Sequence, residues 1–413
     1  MSLSDSLVYQ PKPSAVSSSK ARWNQPSYNK SSFQPGEVVM INIPTGRRGS
    51  FLNTRMSYLK FKVTNNGTDA AHTIAADFNI ASIFSRLELF HGSNLLESIH
   101  EYGMLVNLWH DICGNLASFP TTGNLVEGQS TNGTSREGET IAGAGASRVF
   151  CIPLLSGIVG VLQSKYLPTG DMTAGDLRLE LTLANATDGV VGAGAVPNYS
   201  ISDVEMMLEY TDLASDAARM VSQSNSGGYM ISFDSFANIA SSIETGAINC
   251  NILIPARYSS LKTLFTIMRL QENICTGAHT TKTITNRMNL FQDGGQWYYS
   301  IGGKNIPSTP VKTNTEAAAE LCKALHAFGA QSHTSLITRA TWIAAEGTYL
   351  VSADLESQPH KSKLSESGIN TLSTNTYLIG NFSTQLTKPF NVQTFAHYDG
   401  ILIIQGGLAS VQF

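Results

Sequence analysis

The sequence predicts an all-β chain built as two tandem eight-stranded jelly-roll sandwiches, each with a short helix. Three observations lead there. The 413 residues suit two domains of roughly 150–200 residues better than one core. Short alternating or apolar runs, parted by turns rich in Gly, Pro and Asn, recur along most of the chain. Their order also repeats, with strand, strand, hairpin, helix, loop and strands appearing in each half.

Residues 1–36 are rich in Ser, Pro, Lys and Asn, with Lys12, Lys20, Arg22 and Lys30 set against Asp5. Such a segment builds no core and is expected to be a flexible arm until something holds it. The first jelly roll is placed at 37–212. Val38 to Ile43 and Arg55 to Val63 read as strands, and SRLELFHGSNLLESI, Ser85 to Ile99, reads as a hairpin. Leu105, Leu108, Trp109 and Ile112 then fall at i, i+3, i+4 and i+7, one face of a helix. Pro120 to Ala146 is a long loop with hardly an apolar anchor, the kind that carries an exterior function or contact. Strands resume at Arg148 to Ile152, Asp176 to Leu183 and Ser202 to Tyr210.

Residues 213–228 are read as a linker with a helical turn and a Gly-rich joint, and 229–413 as the second jelly roll. Ala247 to Ile254 and Ser260 to Leu270 are strand candidates. A second hairpin, NRMNLFQDGGQWYYSI, follows at Asn286 to Ile301. With one residue inserted at the turn, Arg86 aligns with Arg287, Leu89-Phe90 with Leu290-Phe291 and Ser98-Ile99 with Ser300-Ile301. The two arginines are expected at equivalent places in superposable sandwiches. Thr313-x-x-Glu316 is a capping box for a helix whose apolar face is Ala318, Leu321, Cys322 and Leu325. Gly347 to Ala353, Thr374 to Ile379, Asp399 to Ile404 and the closing LASVQF complete the strands.

Charged residues make up only 14%, against a usual ~25%. Much of the outer surface is therefore expected to be polar loop or to lie against partner subunits. A net charge of −4 gives no basic field for nucleic acid over the whole chain. Cys113, Cys151, Cys250, Cys275 and Cys322 are odd in number and far apart, without zinc spacing, and read as buried free thiols of a reducing compartment. With no leader peptide and no apolar run of ~18 residues, the chain is expected inside a cell or released by lysis. Asn66-Gly67-Thr68 and Asn132-Gly133-Thr134 are then idle sequons.

Catalytic motifs are lacking: the sequence has no GxSxG, P-loop, HExxH or Rossmann glycine pattern. His110 beside Asp111 is a poor pair, because neighbouring helical positions point ~100° apart. Asp354 and Glu356 share a strand face and could hold a metal, though a solvated strand edge suits them better. Gly294-Gly295, and Gly302-Gly303 before Lys304, sit in turns with no helix following, so a phosphate site is not expected. Arg47-Arg48 reads as a solvated turn more readily than a phosphate contact, and His397, beside Tyr398 and Asp399, as a packed strand residue. Neither catalytic, cofactor nor metal residues are assigned.

Several stretches carry a family resemblance. SRVFCIPLLSGIVG followed by YLPTGDMTAGDLRLELTLA, then WYYSIGGKNIPSTPV, SADLESQ, SGINT and FAHYDGILII, resemble the hexon-like double jelly-roll major capsid proteins of tailless icosahedral DNA viruses, of the polinton and adintovirus kind. The resemblance spans roughly residues 37–413. It implies a non-enzymatic virion subunit that forms homotrimeric, pseudo-hexagonal capsomers and meets penton and minor capsid proteins. The arm with Lys12, Lys20, Arg22 and Lys30 suits bridging to a neighbour or contact with genome or an internal membrane. Two other readings are a minor capsid or spike protein and a carbohydrate-binding or carbohydrate-cleaving jelly roll. The last requires exposed aromatics, for which Trp297, Tyr298 and Tyr299 are the candidates.

Overall fold

Among the described residues, thirteen strands lie in the first half of the chain: β1 (Ser18–Pro26), β2 (Ser32–Phe33), β3 (Val38–Ile43), β4 (Ser50–Leu52), β5 (Tyr58–Asn65), β6 (Ile74–Ala76), β7 (Phe84–His91), β8 (Asn94–His100), β9 (Thr140–Ile141), β10 (Ser147–Ile152), β11 (Leu177–Leu183), β12 (Val190–Gly192) and β13 (Tyr199–Leu213). This is a computed structural model describing residues 18–114, 119–129, 138–192, 197–225, 228–271, 287–292, 294–325, 336–344, 346–356 and 367–413. One sheet runs β1-β13-β5-β10, with β2 and β4 also on β13, and the facing sheet runs β3-β11-β7-β8. The chain passes between the two sheets strand by strand, which is jelly-roll winding. Alternation drives it. In β5, Leu59, Phe61 and Val63 are fully buried while Tyr58, Lys60 and Lys62 point outward.

The described residues of the second half hold eleven: β14 (Tyr229–Ile243), β15 (Asn249–Ile254), β16 (Leu261–Leu270), β17 (Arg287–Met288), β18 (Gln296–Ile301), β19 (Lys304–Val311), β20 (Glu346–Gly347), β21 (Val351–Asp354), β22 (Thr376–Asn381), β23 (Phe390–Gln405) and β24 (Leu408–Gln412). Its sheets run β14-β23-β16-β21, with β24 on β23, and β15-β22-β18-β19. Strand for strand this repeats the first half: β14, β23, β16 and β21 stand where β1, β13, β5 and β10 stand, and β15, β22, β18 and β19 where β3, β11, β7 and β8 stand. A helix follows the hairpin in both, α1 (Tyr102–Cys113) and, past the short α2 (Asn124–Glu127), α3 (Ala186–Gly189) and α4 (Ser215–Ser224), the helix α5 (Asn314–Leu325). The short α6 (Arg339–Ile343) packs beside α5.

Four expectations are corrected by this arrangement. The arm to residue 36 is not free over its described part. Ser18 to Pro26 pair with Leu213 to Glu205 of β13, making this segment the first strand of the first roll, while Lys12 lies outside the described residues. Its side chains are mostly exposed on both faces, so no apolar alternation marks it. Secondly, Arg86 and Arg287 are not equivalent. Arg86 sits in β7 between β11 and β8, whereas Arg287 sits in β17, outside the sandwich sheets. The true partner of the β7–β8 hairpin is β18–β19, which turns at Gly302-Gly303 with φ of +56° and +80° at the two glycines. Gly294-Gly295 belongs to the loop before it. Thirdly, α5 buries Ala317, Leu321, Ala324 and Leu325, while Cys322 is exposed and Ala318 half-buried. Fourthly, the cysteines are not uniformly buried. Burial pushes the Cys113 and Cys250 thiols up to about 12, but Cys322 is open to solvent and Cys275 lies outside the described residues.

Candidate assembly interface

A strand that faces its own core on one side and water on the other buries alternate residues. All ten residues of β16 are buried. The Tyr299 hydroxyl of the facing sheet meets the Thr266 hydroxyl at 2.8 Å, so Thr266 points into the sandwich and Phe265 and Ile267 point out of it. Phe265, with its register partner Phe395, and Ile267 are nonetheless 0% exposed. The outer face of this sheet is covered by the first roll. Trp109 of α1 meets Phe236 of β14 edge to face at 6.4 Å, and the ring of His397 stacks on Phe236 at 4.8 Å.

Polar groups fix the register of this seam. Arg287 donates to the Asp111 carboxylate of α1, an ion pair with side-chain exposures of 1% and 0%. Glu97 of β8 accepts from the Ser156 hydroxyl, from the Gly157 amide at 2.9 Å and from the Ser235 hydroxyl of β14 at 2.6 Å. Burial pushes its carboxyl up, against the pull of these donors. At the other end of β8, the Ala409 amide of β24 donates to His91 Nδ1 at 3.0 Å, and Asn94 donates to the Ala409 carbonyl at 3.1 Å. Tyr229 donates to Asp171 at 2.6 Å. A cleft of about 370 Å³ also lies here, bounded by Glu101 and Asp188 of the first half and Arg269 of the second. Burial raises the Glu101 carboxyl, and Arg269 partly offsets it.

The residues singled out in the sequence are mostly engaged elsewhere. His110 and Asp111 diverge: His110 Nε2 lies 3.0 Å from Asn79 Nδ2 and 3.3 Å from Glu127, while Asp111 meets Arg287. Asp354 caps its own turn by accepting from the Glu356 amide at 3.0 Å. Glu356 instead joins a cluster in which Lys262 Nζ lies 3.1 Å from Asp234, 3.1 Å from Asp399 and 3.6 Å from Glu356. Burial works against charge on Lys262, but the Asp234 and Asp399 carboxylates hold it protonated. Among the described residues no group of three His, Cys, Asp or Glu is arranged to hold a metal ion. Arg47 pairs with Asp212 at 2.7 Å and lies over the Trp23 ring. Lys20 and Arg22 share the Glu209 carboxylate at 2.8 and 3.6 Å, and Lys30 pairs with Glu37. Trp297 and Tyr299 are fully buried, and Tyr298 is half-buried.

Sequence reasoning passed over Glu97, His91 and Lys262, the residues that stitch the seam and its sheet. Their one visible signal is a charged or titratable side chain inside a largely apolar strand, as Lys262 is in LKTLFTIMRL. Among the described residues, two flanks stay open. A cleft of about 580 Å³ between α5 and α6 is lined by Leu321, Cys322, Leu325, Trp342 and Ile343 among others. The outer face of β1-β13-β5-β10 shows Tyr58 and Val149 to solvent beside cross-strand pairs Lys60–Glu205 (3.2 Å) and Lys62–Asp203 (2.8 Å). No described helix is long and apolar enough to cross a membrane.

No protein-family model and no curated protein matches the chain. Solved structures do. VP54 of PBCV-1, as fitted into a reconstruction of the virophage Sputnik, aligns over 98% of each chain with a TM-score of 0.64 and 12% identity. The Faustovirus major capsid protein aligns over 97% of this chain and 92% of its own, with a TM-score of 0.58 and 8% identity. The mavirus major capsid protein aligns over 100% and 93%, with a TM-score of 0.53 and 8% identity. At such identities the likeness defines the fold: this chain is a double jelly roll of the kind seen in viral major capsid proteins.

Proposed function

We propose that this chain is a major capsid protein, a structural subunit of an icosahedral virus shell that works in the virion by assembly and has no active site. The observation that carries this reading is the pair of complete rolls, wound alike and fused through a buried seam, matched end to end in both directions by capsid proteins. Residues 18–213 form the first roll, α4 lies in the connection, and 229–412 form the second. Three copies form a pseudo-hexagonal capsomer of six rolls, which meets like capsomers, penton and minor capsid proteins. Lys20 and Arg22 share one carboxylate, so β1 keeps a net positive outer edge. That edge, with Lys12 and Lys30, suits contact with genome, internal membrane or a neighbouring subunit.

The carbohydrate reading loses its support because Trp297 and Tyr299 fill the second core, where no sugar reaches them. Mass measurement and electron microscopy of the purified protein test the capsid reading. Trimers or shells are expected, and a strict monomer at every concentration would overturn it.

A further inference from the structure

The Lys262 cluster sets one amine against three carboxyls inside the second roll. A β-bulge creates it: Leu261 faces Tyr398 and Thr263 faces His397, so Lys262 is the extra residue of β16, left out of the pairing with β23. Its Nζ stands 3.1 Å from Asp234 of β14 and 3.1 Å from Asp399 of β23, with Glu356 at 3.6 Å. Water is largely shut out, since the side chains of Lys262, Asp399 and Glu356 are 9%, 10% and 5% exposed. The two aspartates differ in setting. Asp399 Oδ2 accepts from the Ser260 hydroxyl at 2.7 Å and from the Ser367 amide at 3.3 Å, while Oδ1 faces Lys262. Burial raises the Asp399 carboxyl and its hydrogen bond to Asp234 raises it further, so it is held as the acid. Burial works the same way on Asp234, but His397 and Lys262 outweigh it and hold that carboxyl ionised, well below the usual range.

We propose that Lys262 and Asp399 join in an isopeptide bond that the folded chain forms by itself. A fixed amine and a neutral carboxyl within one hydrogen-bond length, in a nearly dry site, have their orientation already set. The ionised Asp234 is a poor electrophile and serves as the base. It takes one proton from Lys262, and the freed Nζ lone pair adds to Asp399 Cγ. The charge that develops on Oδ2 falls between the Ser260 hydroxyl and the Ser367 amide, which already point at that oxygen. Asp234 hands its proton to Oδ1, the Cγ–Oδ1 bond breaks, and one water leaves. The second amine proton passes by way of Asp234 to solvent, which that side chain reaches at 37% exposure. An ammonium and a carboxylic acid thus become an amide, one water and one proton, with no co-reactant. The bond ties β16 to β23, the two central strands of the sheet that carries the seam. It needs no second copy, so it stands apart from the capsid reading.

Intact mass of the unfolded full chain, with a peptide map, reads the bond directly. The unaltered protein should weigh one water less than its sequence, with the peptides that carry Lys262 and Asp399 joined. Lys262→Arg keeps the positive charge and should keep its full mass. Asp399→Asn should lose ammonia in place of water and end at the same product. Asp234→Asn removes the base and leaves the electrophile, and should slow bond formation by about a hundredfold or more; an undiminished rate there overturns the role of Asp234. Full mass in the unaltered protein after long incubation, with circular dichroism and a cooperative melt showing it folded, overturns the inference and leaves an ion pair only. A join at Asp234 or Glu356, or a water lost equally in Lys262→Arg, overturns the assignment to Lys262 and Asp399. Trimers or shells that keep their full mass overturn this inference and spare the capsid reading, and a joined protein that stays monomeric does the reverse.

Discussion

Arg287→Met is the sharpest perturbation of the seam. The substitution keeps most of the apolar stem and removes the guanidinium, which leaves the Asp111 carboxylate in a site with 0% exposure. Breaking a buried pair from one side costs about 3–5 kcal/mol, because the remaining charge keeps its desolvation penalty while losing this ion pair. The lost donation to the Thr348 carbonyl, long at 3.4 Å, adds little. Asp111→Asn should cost a comparable amount by removing the carboxylate that offsets the buried guanidinium. The double variant removes both charges, so its cost should fall well below the sum, with a coupling of about 2 kcal/mol or more. Denaturant unfolding of the four proteins at neutral pH measures the cycle. The coupling should also survive a rise in salt from about 0.05 to 0.5 M, since buried pairs are screened far less than surface ones. Single variants within about 1 kcal/mol of the parent, or costs that simply add, would refute a buried, mutually dependent pair.

Acid should loosen the C-terminal strand. His91 Nδ1 must be bare to accept the Ala409 amide, while Nε2 donates to the Gly175 carbonyl at 2.9 Å. Burial lowers His91 below the usual 6.5, against smaller opposite effects from the Gly175 carbonyl and the Asp176 carboxylate. A depressed imidazole means that the folded state resists protonation, so stability is complete above 6.5 and declines as pH falls from there toward the lowered folded value. Exchange of the Ala409 amide, corrected for its intrinsic pH dependence, should quicken over that window and lose the extra dependence in His91→Asn. Gly157→Ala should strain the seam directly: a Cβ there would stand 2.1 Å from the Asp234 carbonyl oxygen and 2.7 Å from the Phe233 ring, both in the other roll. The overpacking should cost about 1–3 kcal/mol or more, read as a lower Tm, and an unchanged Tm would refute the tight approach.

Strand pattern was the most legible part of the chain, because period-two alternation survives wherever one face is buried and the other is not. β3, β5, β10, β11 and β15 all show it. Among the strands passed over, β1 and β14 occupy the same place at the edge of the same sheet in each roll. β1 has no buried face to mark it. β14 carries Ile231 and Phe233 in alternation but turns polar beyond Phe236, where its neighbours are the other roll and solvent. The hairpin match misled because a leucine-phenylalanine pair followed by a glycine turn recurs by chance in a loop. Leu290 and Phe291 lie in a turn, with Phe291 stacked on Phe382 at 5.4 Å, not in a strand. Duplication is written in topology and hardly at all in residue identity. The seam was illegible for a different reason: Glu97, His91 and Arg287 find partners 138, 318 and 176 residues away, distances over which a single sequence gives no pairing signal.

The equivalent strands β5 and β16 show where the two rolls have parted. Their inward residues, Leu59, Phe61 and Val63 against Leu264, Thr266 and Met268, are all buried, with Thr266 the polar exception that bonds Tyr299. Their outward residues are not: Tyr58, Lys60 and Lys62 in β5, but Thr263, Phe265 and Ile267 in β16. A face covered from the moment the chain folds can be wholly apolar. A face that meets water in the single chain must stay soluble there, and the cross-strand charge pairs Lys60–Glu205 and Lys62–Asp203 serve that on β5. The low charge content of the chain follows in part from the first kind of face, and the self-neutralised ladder on β5 is the mark of the second. Exchanging the two outward sets would therefore have opposite effects. Lysines at 265 and 267 would bury unpaired charge and unfold the seam, whereas Phe and Ile at 60 and 62 would leave the fold intact and turn the free subunit toward indiscriminate aggregation.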